Sequence, residues 1–209
     1  MGARESTMNI CLIVVDYTES CCLKKYEKPE WKCTMSAVRA IAERIGNLVA
    51  LFRGSNLGPV VWIRPCPWVP GRVHPNIQAL YEQNPNARFY SDGTGSTTFY
   101  KVQPLAGEPV FEKNLYSAFS GTAGRLDAYL REGAIERLVI CGVYSTGCVN
   151  ATVCEAFHHG YRLTIIVRDC VETFDDEYKR RFQRHLLKDW ELMYGQVVET
   201  EGLPKVLAV

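Results

Sequence analysis

The chain has 209 residues, 47% of them hydrophobic, enough for one globular domain spanning 1–209 with a sizeable core. Twenty-four Lys and Arg nearly cancel 23 Asp and Glu, leaving a formal charge of +1; no electrostatic footprint for nucleic acid or an anionic membrane results. No apolar run approaches the roughly 20 residues that span a bilayer, and the polar start Met1-Gly-Ala-Arg-Glu-Ser6 lacks a secretory core, so a cytoplasmic protein is expected.

Ile10–Val15 is a continuous β-rich run, as expected of a strand buried on both faces. After a polar stretch, Met35–Phe52 alternates apolar and polar residues at helical spacing, with Thr34 as its cap. Val60–Ile63 reads as a second buried strand. Residues 64–98 are rich in Pro, Gly, Asn and Ser. That is long for a connection, so the segment is either a lid near the active site or contains short helices such as Asn76–Gln83. Then follow a strand over Glu108–Glu112, a helix over Gly121–Glu132, a strand over Arg137–Cys141 and a helix over Cys148–His159. A strand over Arg162–Val167 and a long charged helix over Asp175–Trp190 complete the pattern. Alternating βα units predict an α/β fold, a Rossmann-like three-layer sandwich with a mostly parallel sheet and helices on both faces.

In such sheets ligands bind beyond the carboxyl ends of the strands. Three chemically capable residues stand there: Asp16 after the first strand, Lys113 after Glu112, and Cys148 across the turn Gly142-Val-Tyr-Ser-Thr-Gly147. A thiol at a helix start faces unsatisfied N–H groups and the positive end of the dipole, which favour the thiolate and could hold an oxyanion. Thiol catalysis also needs a proton acceptor and a cation. On position alone, Cys148 is equally a small core residue, Asp16 a turn residue and Lys113 a solvated charge. A phosphate loop is excluded, because Cys148 and Val149 stand where Lys and Ser or Thr would be required. The other eight of nine cysteines show no C-x-x-C spacing and are expected as reduced thiols.

The segment Gly142-Val-Tyr-Ser-Thr-Gly-Cys148-Val-Asn-Ala-Thr152, with Ala156, Gly160 and Tyr161, resembles the nucleophile motif of the isochorismatase-like cysteine hydrolases. Gly107-Glu108, Val110, Lys113 and Tyr116-Ser-Ala-Phe119 with Gly121-Thr122 resemble that family's lysine motif. Leu12–Asp16 resembles its first strand and aspartate, and Arg168-Asp169 the aspartate after its fifth strand. The resemblance implies a catalytic trio of Asp16, Lys113 and Cys148, with Asp16 exchanging protons and Lys113 stabilising charge. It also implies a cis bond at Val143–Tyr144 that aims the Tyr144 and Cys148 N–H groups at an oxyanion, and a homodimer or homotetramer. Tyr17, Trp68, Phe119 and Tyr144 adjoin the matched motifs and are expected to wall a small-molecule substrate, with Arg64 and Arg72 positioned to meet a carboxylate.

Departures from the family pattern narrow the chemistry. Nicotinamidase members carry an Asp-x-His metal pair after the second strand, where this chain reads Ile63-Arg-Pro-Cys-Pro-Trp68. The histidines, at 74, 158, 159 and 185, do not replace it, so neither metal nor cofactor is expected. Vinyl-ether hydrolases of the superfamily lack the cysteine, which argues against isochorismate. The resemblance therefore implies hydrolysis of a small amide, ureido or carbamoyl C–N bond through a covalent Cys148 intermediate. The competing expectation is a catalytically silent binding or scaffold protein on the same fold.

Overall fold

In a computed structural model, which describes residues 9–27, 34–55, 57–67, 71–83 and 96–207, the first apolar run is the hub of the sheet. Strand β1 (Ile10–Val15) is buried at every position. It pairs in parallel with β2 (Val60–Pro65) on one side and β4 (Arg137–Val143) on the other. Beyond β2 lies β3 (Val110–Lys113); beyond β4 lie β5 (Leu163–Glu172) and then β6 (Gly195–Val198). The order β3-β2-β1-β4-β5-β6 is parallel throughout.

The connecting helices are α1 (Glu19–Cys22), α2 (Ser36–Ala40), α3 (Ala42–Ser55), α4 (Pro75–Gln83), α5 (Arg125–Glu132), α6 (Asn150–His158), α7 (Glu177–Met193) and α8 (Leu203–Leu207). Because strand side chains alternate between faces, β1 feeds two cores. Leu12 and Val14 join Ile45, Leu48 and Phe52 of α3 and Leu203 of α8. Cys11, Ile13 and Val15 join Leu126 and Leu130 of α5, Val153 of α6 and Trp190 of α7. The three-layer α/β sandwich expected from the sequence is therefore the one observed.

Local differences have tertiary causes. The helix expected over 35–52 is broken at Ile41 into α2 and α3. Thr34 does not cap it. Asp175, which follows β5, instead accepts from the N–H groups of Ser36 (2.8 Å) and Ala37 (3.3 Å), and Thr34 donates its hydroxyl to the same carboxylate. Strand β5 runs to Glu172, with a register shift opposite Cys141. Segment 64–98, read as either a lid or a stretch with short helices such as Asn76–Gln83, does hold a helix there, α4; its residues 68–70 and 84–95 lie outside the described residues. Among the described residues no helix is long and apolar enough to cross a membrane.

Candidate active site

Asp16 follows β1 at the carboxyl edge of the sheet. Its N–H donates to Ile63 O (2.9 Å) and its carbonyl accepts from Thr18 N–H (2.7 Å). Its φ of 50° is left-handed, a conformation that costs a non-glycine residue about 1–3 kcal/mol and is tolerated where the surroundings enforce it. Lys113 ends β3, and β2 lies between β3 and β1, so the lysine stem must cross the end of β2. Its Nζ lies 2.8 Å from Asp16 Oδ2 and donates to Cys148 Sγ (3.2 Å) and Leu115 O (2.9 Å). Those partners use all three N–H groups of an ammonium.

Cys148 arrives by a different route. The helix expected from 148 begins instead as an irregular turn over Ser145–Val149, and α6 starts at Asn150. The turn leaves β4 through Gly142, whose φ is 115° and where a Cβ would stand 2.0 Å from Val15 O. Only glycine lets β4 lie so close to β1 at this point. The Val143–Tyr144 peptide is cis, and the Tyr144 carbonyl accepts from Gly147 and Val149 N–H groups.

Burial and mutual charge act against each other in the trio. Asp16 and Lys113 side chains are 4% and 3% exposed. Burial raises the Asp16 carboxyl above its ordinary range, and Lys113 followed by Cys148 pulls it back in part. Burial disfavours the Lys113 ammonium, but Asp16 and Cys148 outweigh it and hold the lysine charged. The Cys148 thiol is pushed well up by burial and by Asp16, against the pull of Lys113. Burial thus works against charge on both Asp16 and Cys148, and Lys113 favours charge on each. Asp16 Oδ1 is buried without a hydrogen-bond partner among the described residues, while the thiol is near enough to bias its protonation.

Residues 10–201 match the family model described as the isochorismatase domain. The chain belongs to the isochorismatase family. Among similar proteins is a maleamate amidohydrolase from Pseudomonas putida, 30% identical over 90% of this chain and 81% of the relative. An N-carbamoylsarcosine amidase from Arthrobacter is 32% identical over 61% of this chain and 46% of the relative. Among solved structures, a cysteine hydrolase from Pseudomonas syringae pv. phaseolicola superposes with a TM-score of 0.79 at 18% identity, over 99% of this chain and 96% of that one. N-carbamoylsarcosine amidase from Thermoplasma acidophilum gives 0.66 at 25% identity, over 93% and 98%.

Of the four residues expected to wall the substrate, two lie in the core. Tyr17 is wholly buried in the α3-side core, its hydroxyl donating to Val38 O (3.0 Å). Phe119 is buried in the opposite core, stacked on His159. Both are core packing, because chain adjacency to a motif does not fix which way a ring points. Trp68 lies outside the described residues. Tyr144 is half-buried, stacked on Phe174 at 3.9 Å with its hydroxyl on Cys21 O. Arg64 and Arg72 both pair with Glu112 (2.8 and 2.5 Å), so a substrate carboxylate would have to compete for them. Asp169 lies within β5 and accepts from Thr200 N–H and hydroxyl, holding the C-terminal segment.

Two residues were not expected at the site. Burial raises the phenols of Tyr81, on α4, and Tyr116, and both also feel Cys148. Tyr116 lies within the lysine motif and Tyr81 within the helix expected over Asn76–Gln83, but an aromatic in either place carries no signal that tells a site residue from core packing. Among the described residues no group of three or more His, Cys, Asp or Glu could hold a metal ion.

Proposed function

We propose that this chain is a cysteine-dependent amidohydrolase that cleaves a C–N bond of a small amide, ureido or carbamoyl compound through a covalent Cys148 intermediate. The observation that carries the reading is one ammonium, that of Lys113, held between Asp16 (2.8 Å) and Cys148 (3.2 Å) at the carboxyl edge of the sheet. The bond type is supported by the relatives named maleamate amidohydrolase, N-carbamoylsarcosine amidase and ureidoacrylate amidohydrolase.

The Cys148 proton passes to Asp16 as Sγ bonds to the carbonyl carbon. The net charge of the trio does not change in that transfer: negative charge leaves the carboxylate for the sulfur, and Lys113 remains its counterion. The N–H groups of Tyr144 and Cys148 receive the oxyanion. Asp16 then gives its proton to the departing nitrogen as the C–N bond breaks, leaving a thioester or thiocarbamate. Water, deprotonated by Asp16, attacks that carbon; the C–S bond breaks and the proton returns to Cys148. No step requires a cofactor. Tyr81, Tyr116 and Tyr144 form the wall that receives the substrate.

The working protein is a homodimer or homotetramer of the cytoplasm. Assembly is supported by large apolar side chains left at the surface, Leu192 (81% exposed) and Met193 (62%) among them. A reducing compartment is supported by eight free cysteines among the described residues.

The test is ammonia release from a panel of small amides, ureido acids and carbamoyl amines by wild type and Cys148→Ala. Release that disappears in the variant supports the reading and names the substrate class. Equal release by both proteins overturns it, as does no release from any compound.

A further inference from the structure

The ammonium of Lys113 is placed by more than its two charged neighbours. Its third hydrogen bond goes to Leu115 O (2.9 Å), in the loop that follows β3. That loop folds back tightly on the lysine. Asn114 N–H donates to Gly121 O (2.9 Å), and a Cβ on Gly121 would stand 2.8 Å from the Lys113 Cβ. Whatever holds this loop therefore holds Lys113.

The holder is the helix that follows the nucleophile. Ser117 Oγ donates to Glu155 Oε2 (2.7 Å), Ser120 N–H to the same oxygen (2.9 Å), and Ser120 Oγ to Oε1 (2.8 Å). One turn earlier on α6, Thr152 Oγ1 accepts from Ala118 N–H (3.0 Å) and donates to the Cys148 carbonyl (2.7 Å). Cys148, Thr152 and Glu155 thus lie along one side of the turn and helix, and that side meets the lysine loop.

We propose that Glu155 is a positioning residue for the reaction: its carboxylate locks the 115–121 loop to α6 and so sets the place of the Lys113 ammonium beside the Cys148 sulfur. The proposal rests on Cys148 being the nucleophile. Three donors converge on this group, which an ionised carboxylate satisfies with its two oxygens. A glutamine of the same shape has one acceptor oxygen and would turn N–H groups toward donors. Burial acts to raise the Glu155 carboxyl, but the bonds from Ser117 and Ser120 outweigh it and keep the group below its ordinary range. The side chain is partly buried, and these three hydrogen bonds fix where its carboxylate sits.

The test follows labelling of Cys148 by iodoacetamide against pH, read by peptide mass spectrometry, in wild type, Glu155→Gln and the milder Ser120→Ala. Labelling needs no substrate. Because Lys113 favours the thiolate, a displaced lysine moves the profile to higher pH: by about one unit in Glu155→Gln, equivalent to about tenfold slower labelling at a fixed pH. Ser120→Ala moves it the same way by less, and stands in should Glu155→Gln not fold. With a substrate in hand, kcat falls about tenfold while KM stays within about twofold. A lowered melting temperature with both profiles unmoved overturns the proposal alone. No labelling of wild-type Cys148 at any pH overturns the nucleophile reading and this proposal together.

Discussion

The Lys113 ammonium and the Asp16 carboxylate meet at 2.8 Å with both side chains almost wholly withdrawn from water. Removing one partner of a buried pair leaves the other uncompensated, at a cost of about 3–5 kcal/mol. Lys113→Met is therefore expected to lose that much stability near neutral pH and, in the same step, to disable Asp16 as a base by keeping it protonated. Adding Asp16→Asn removes the carboxyl that must otherwise be protonated to stay buried and recovers part of the stability, with no recovery of turnover. Urea unfolding of the two single variants and the double variant checks this as a cycle. A double variant no more stable than Lys113→Met would refute the coupling.

Protonation in the site should be visible in two pH profiles. Asp16 accepts a proton only when ionised, and burial lifts its carboxyl above the ordinary value of about 3.9. Activity thus rises with pH through a limb displaced above the usual carboxylate range. The Cys148 thiol is likewise raised by burial, so in the absence of substrate its alkylation should increase only above the ordinary thiol value of about 8.5. Substrate-free labelling that plateaus below neutral pH would instead mean a stable resting thiolate.

The legible parts of this fold are those set by local pattern. Ile10–Val15 reads as the hub because a strand covered on both faces is apolar without interruption. Asp16, Lys113 and Cys148 are legible because they stand at strand ends and lie in motifs that resemble a known family. What stays hidden depends on residues distant in sequence. The cap of α2 comes from Asp175, 141 residues beyond Thr34. Strand β6 is four residues long at the sheet edge, too short for periodicity to speak. Tyr17 and Tyr81 look alike in sequence, yet the Tyr17 hydroxyl donates to Val38 O in the core, while the Tyr81 phenol feels the charge of Cys148.

The oxyanion role assigned to Tyr144 belongs to its backbone N–H, whereas its hydroxyl donates to Cys21 O at 3.0 Å and its ring stacks on Phe174. Tyr144→Phe keeps the N–H and the ring. Turnover should stay within about threefold of wild type, with stability reduced by about 0.5–1.5 kcal/mol for the lost hydrogen bond. Paired measurements of kcat and thermal unfolding decide this. A loss of turnover near a hundredfold would move the role from the backbone to the hydroxyl.

Asp175 joins two distant parts of the chain, capping α2 while pairing with Arg180 at 2.7 Å. Burial acts to raise its carboxyl, but hydrogen bonds led by those from Ser36 and Arg180 bring it down to about 2. A carboxyl depressed in the folded state adds stability that is complete above its unfolded value of about 3.9 and is lost as pH falls through the folded value. Asp175→Ala should therefore cost about 1–2 kcal/mol near neutral pH, as the loss of a helix cap does. The difference from wild type should shrink as pH falls from about 4 toward 2. Denaturant unfolding of both proteins across that range is the check. A constant difference would show that the carboxylate's charge contributes nothing and that shape and packing alone account for the cap.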